Sequence, residues 1–227
     1  MDKELKPMNA EQGLLDKTDL QFFGKVSASV SHDFKNALAV INENAGLLQD
    51  LVLMSEKGVP LNPERVKAVA EKVKERVSMA DGMVKNFNRF SHSVDTSVTE
   101  IDLSEYLELL IDLSKRIASK HGMTILFDRP ESQIMLKTSP FYLICLCWQC
   151  LETAMKFAEN SNEISIIMET AENNIRICFV NSKDKFNIPD TFPGNIETYL
   201  IEILGAELST ENNRGKISLL FPKIIKS

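Results

Sequence analysis

The chain is poor in several residue classes, and each shortage excludes something. Its 227 residues include only four cysteines, Cys145, Cys147, Cys150 and Cys178. They are too few and too clustered for a disulfide framework, which points to a reducing compartment. No apolar run approaches the roughly 18–20 residues needed to span a bilayer. The longest candidates, such as Phe141–Trp148, are core-sized. The opening MDKELKPMNAEQ offers no apolar segment that a signal peptidase could use. Basic residues are outnumbered, 26 Lys+Arg against 32 Asp+Glu, for a formal net charge of −6. That balance argues against nucleic acid or an anionic membrane surface as a partner, because phosphate contacts need clustered Lys and Arg. The expectation is a soluble, cytoplasmic protein with neither kind of partner.

The remainder is ordinary for a globular chain. Hydrophobic residues at 44% and charged residues at 26% exclude a disordered chain. At about 100–200 residues per domain, the length allows one or two domains. From about Asp19 to Lys57 the apolar residues Phe23, Val26, Val30, Phe34, Ala37, Ile41, Ala45 and Leu48 recur at steps of three and four, which predicts a helix. Thr18 or Asp19 can cap its start, and Gly58 with Pro60 stops it. A second helix opens at Pro63 and carries Val66, Val69, Val73, Val77, Ala80, Val84 and Phe87 on one face. Two long helices with a short turn make an antiparallel hairpin. Its apolar stripe is too long for one hairpin to bury. Pairing with a second copy, in a dimeric four-helix bundle, would bury the rest; packing along its own C-terminal domain is the alternative.

The stretch SHSVDTSVTE, Ser91–Glu100, reads as a polar linker. Beyond it the pattern turns to mixed α and β. Helices are expected at Leu103–Ser119, from about Pro140 to Glu159, and near Ile196–Leu204. Strands are expected at Met123–Phe127, Ile134–Lys137, Ile164–Glu169, Ile175–Val180, Glu207–Ser209 and Lys216–Phe221, with Glu172-Asn173-Asn174 turning a β-hairpin. The organisation is thus a tail over residues 1–18, the hairpin over 19–94, and an α/β sandwich over 100–227. The fold class is α plus α/β.

One of the three histidines is unusually placed. His32 lies in Ser31-His32-Asp33-Phe34-Lys35-Asn36. At about 100° per residue it falls about 200° from both Val30 and Phe34, so it projects from the polar side of the helix. A neutral imidazole there can act as a nucleophile at physiological pH. The neighbouring Asp33 carboxylate could orient the ring or take up its proton. A solvated surface histidine is the plain alternative.

Phe23–Leu51, FGKVSASVSHDFKNALAVINENAGLLQDL, closely resembles the phospho-accepting helix of two-component histidine kinases. That motif is a serine, the phosphorylated histidine, an acid, two variable positions and then Asn or Thr. Here these are Ser31, His32, Asp33, Phe34, Lys35 and Asn36, with Ala37 where the family often has proline. The resemblance implies that His32 is the phosphoacceptor and that Asp33 assists transfer. It further implies that Asn36 positions the phosphoryl group or water, and that Lys35 lies on the surface that meets an incoming aspartyl phosphate. Phosphoryl transfer asks mainly for such positioning and charge complementarity.

In that family the mixed domain binds ATP, and Leu151–Phe157 (LETAMKF) and residues 201–223 (IEILGAELSTENNRGKISLLFPK) are similar to its asparagine-rich helix and its closing helix and strands. The functional positions differ. Gln149 and Thr153 occupy the two asparagine positions, and a hydroxyl is a poorer ligand than an amide carbonyl for a hard cation. Where a glycine-rich adenine box should follow Ile175–Val180, the chain reads Asn181-Ser182-Lys183-Asp184-Lys185, with no glycine to permit close backbone approach. Pro193-Gly194-Asn195 is too short for a lid. Three nucleotide elements are missing while the scaffold remains.

The combination resembles the histidine phosphotransferases built as degenerate kinases, the ChpT type. It implies a homodimer that shuttles phosphate between receiver domains of response regulators, downstream of a hybrid histidine kinase. It also implies that ATP binding is lost, that the chain has no cofactor of its own, and that Mg²⁺ is supplied by the receiver. A divergent ATP-dependent sensor kinase and a non-catalytic scaffold that docks kinases or receivers remain the alternatives.

The weaker signals have plain readings. Cys145, Cys147 and Cys150 form C-x-C-x-x-C inside an apolar helix, where the three thiols do not converge on a metal, so they read as buried small hydrophobes. His92 in the linker and His121 at a helix end read as solvated or structural. Lys72, Lys74 and Arg76 alternate with acids, as on a solvated helix face.

Overall fold

The computed structural model describes residues 10–158, 161–171, 173–181 and 185–223, with side chains from Phe22 onward. The chain divides into two compact units, Val26–Arg89 and a second that joins the residues up to Lys25 with those from Phe90 on.

Helix α1 runs Ala10–Glu56 and α2 runs Pro63–Ser93. The expected cap at Thr18 or Asp19 is corrected: the helix is already formed at Ala10. The stretch AEQGLLDK holds mostly strong helix formers and no proline, so nothing in it stops the helix from starting before Asp19. Half of the expected tail is therefore helical, and residues 1–9 lie outside the described residues. The start of α2 has a local cause. Asn62 Oδ1 accepts from the N–H groups of Glu64 and Arg65 at 3.0 and 3.2 Å, and Pro63 supplies a first-turn φ without needing an acceptor. Gly58 takes φ 89°, a left-handed conformation that suits glycine at a helix end.

Within the unit Val26–Arg89, Ala37, Leu51, Val69 and Ala80 are buried. Much of the expected apolar stripe is not. Val77 and Val84 remain 51% and 41% exposed, and Leu38, Val52 and Leu53 are similarly open.

The other unit holds two sheets. In the smaller, β1 (Thr99–Asp102) pairs antiparallel with β3 (Met135–Thr138). Strand β1 was not expected; Val98-Thr99-Glu100 sits in a polar stretch, and pairing with β3 is what makes it a strand. The larger sheet has the order β2-β4-β5-β7-β6, with β2 (Thr124–Phe127) parallel to β4 (Glu163–Thr170). The remaining pairs, among β4, β5 (Asn174–Val180), β7 (Lys216–Pro222) and β6 (Glu207–Glu211), are antiparallel. Ile175, Ile177 and Phe179 of β5 and Ile217, Leu219 and Phe221 of β7 are buried on one face, and Cys178 and Ser218 between them are buried as well, as suits the inner strands of a sheet. Helices α3 (Leu103–Lys120), α4 (Pro140–Phe157) and α5 (Asn195–Leu204) complete the α/β sandwich. Asp102 caps α3 by accepting from the Ser104 N–H at 3.0 Å.

Helix α4 is apolar nearly all round and is the centre of this core. Trp148 is buried and stacks on Phe22 with ring centroids 5.0 Å apart; Phe22 in turn meets Phe90 edge-on at 5.3 Å, and Phe90 reaches Phe141 at 6.1 Å. Lys25 pairs with Glu152 and lies over the Trp148 ring. The Phe22–Lys25 turn of α1 is thereby tied to α4.

All four cysteines are buried free thiols, as their place in an apolar helix and a central strand implies. Burial pushes the Cys147 and Cys150 thiols far up from their ordinary value. Iodoacetamide at mildly alkaline pH should therefore leave the native protein unlabelled and add four adducts in denaturant, as read by intact mass. Rapid native labelling of Cys147 or Cys150 would contradict the packing of α4.

Candidate functional site

The side chains of His32, Asp33 and Asn36 share one surface of α1. Residues four apart on a helix lie one above the other, so Asn36 falls beside His32. Its amide Nδ2 stands 3.1 Å from His32 Nδ1. Asp33 follows His32 directly and turns its carboxylate back, placing Oδ1 3.6 Å from the same nitrogen. The imidazole is half-exposed, at 52%, and the carboxylate less so, at 31%. The three residues meet at Nδ1, and Nε2 has no partner among the described residues. Lys35, three positions on, is exposed.

The orientation of the Asn36 amide and the tautomer of the ring go together. An Nδ2–H donating to Nδ1 leaves the ring proton on Nε2. Turning the amide over scarcely moves its heavy atoms and presents Oδ1 instead, which accepts from Nδ1–H and frees the Nε2 lone pair. The Asp33 carboxylate favours that second arrangement, since an anion beside Nδ1 attracts the proton there. In it the trio holds a nucleophilic nitrogen outward, with a compensating negative charge behind the ring.

The positions expected to have lost nucleotide contacts can also be placed. Gln149 and Thr153 are half-buried on α4. Asn181, at the end of β5, is buried and donates from Nδ2 to the Lys185 carbonyl at 3.4 Å; Ser182, Lys183 and Asp184 lie outside the described residues. The segment that follows is fastened. The N–H of Asn187 donates to the Phe157 carbonyl at the end of α4, and that of Phe186 to the Asn212 carbonyl. The Asn212 side chain bonds Ile188 twice, accepting from its N–H at 3.3 Å and donating to its carbonyl at 2.9 Å. Phe186 and Ile188 are both buried. Gly194 serves α5, donating its N–H to Glu197 Oε2 at 2.9 Å. The role of Asn212 was not legible in the sequence, because its partners come from 24 residues away.

No family model matches the chain, and no curated protein matches it. Solved structures similar to it include Acinetobacter baumannii histidine kinase AdeS, at 10% identity and TM-score 0.47, covering 80% of this chain and 96% of that one. The nucleotide-free catalytic domain of histidine kinase ThkA matches at 16% identity and TM-score 0.47, covering 56% of this chain and 97% of that one. ThkA in complex with response regulator protein TrrA matches at 16% identity and TM-score 0.45, covering 97% of this chain and 68% of that one. These neighbours are histidine kinases, and one is seen with a response regulator. At such scores they assign no residue here, and the site rests on its own geometry. Among the described residues no helix is long and apolar enough to cross a membrane.

Proposed function

We propose that this protein is a histidine phosphotransferase of the ChpT type, relaying a phosphoryl group between receiver-domain aspartates through His32. The observation that carries the reading is the half-exposed imidazole with Asp33 and Asn36 both at Nδ1, which leaves Nε2 unpartnered among the described residues. In the forward step the Nε2 lone pair attacks the phosphorus of an aspartyl phosphate. The N–P bond forms as the P–O bond to the carboxyl group breaks, and the carboxylate leaves with the electron pair. Nδ1 keeps its proton throughout, and Asp33 offsets the positive charge that the phosphorylated ring carries. In the second step another receiver's carboxylate attacks the phosphorus, and the N–P electron pair returns to Nε2. The exposed Lys35 would meet the anionic partner. Mg²⁺ belongs to the receiver in this scheme.

The protein acts as a homodimer in the cytoplasm. The reading is supported by the exposed valines and leucines of the hairpin, which a second copy would cover in a four-helix bundle. The reading of the second domain as a degenerate kinase domain that no longer binds ATP is supported by the missing glycines and by the fastened segment with buried Phe186 and Ile188.

The test is labelling from radioactive ATP, with and without a phosphorylated receiver domain. Label should reach this chain only through the phospho-receiver, on an acid-labile, alkali-stable bond. Label from ATP alone would make the protein a kinase, and efficient docking without label would make it a scaffold.

A further inference from the structure

We draw no further inference here: the strongest candidate, the cleft at the start of α4 with an apolar wall of Phe23, Val94, Val98, Phe141 and Ile203, carries none, because nothing in the structure shows what covers it.

Discussion

His32→Gln should take up no label from a phosphorylated receiver, down to the level of a sample without the protein. Glutamine keeps bulk and polarity on the exposed face of α1, so the melting temperature should stay at the parent value while transfer disappears. Asp33→Asn isolates the charge. The amide can still accept from Nδ1–H but no longer offsets the phosphoimidazolium, so the first-order rate of label uptake should fall roughly tenfold to a hundredfold. A His32→Gln protein that still accepts phosphate would remove His32 from the reaction. An Asp33→Asn protein at parental rate would leave Asp33 a solvated neighbour. A rapid-quench time course on gels separates these outcomes.

Phe90→Ala should destabilise the protein by about 3–5 kcal/mol, as large aromatic truncations do in well-packed cores. Phe90 is fully buried and touches Phe22, Phe23 and Phe141, so its loss opens a cavity at a junction of three chain segments. Trp148, the only tryptophan, stacks on Phe22 and provides the signal for urea unfolding. The midpoint should drop and the slope stay constant. A change below about 1 kcal/mol would mean that the cluster is loosely packed.

Elements that follow from local pattern were legible before any coordinates. The apolar steps in α2 and the Pro63 start placed that helix, although its end at Ser93 runs into the stretch read as a linker, and period-two alternation placed the β4–β5 hairpin. Strand β1 escaped because a four-residue edge with a polar half carries no pattern of its own and depends on β3, more than 30 residues away, for its bonds. The early start of α1 escaped because a reader stops where a capping residue occurs, while a chain of helix formers passes through it. The site divides in the same way. Asn36 beside His32 is a consequence of helix geometry and was visible in six residues. The Asn212 clasp is assembled from segments 24 residues apart in sequence, which no spacing rule reports.

The unit built around α4 is interrupted in sequence, with the hairpin inserted between its two pieces, and this bears on the order in which the chain can fold. Lys25 and Glu152 are 127 residues apart, a long loop to close at once, and closure entropy rises with the logarithm of length. The hairpin shortens it. Its own contacts span one short turn, so its helices can pair on the microsecond scale of local structure. Once paired, they hold Phe23 against Phe90 with ring centroids 5.6 Å apart. The search left for Phe22 is then only the loop from Phe90 to Trp148. A hairpin that pairs first would act as a folding clamp, leaving the two distant pieces of its host joined before the α/β core assembles.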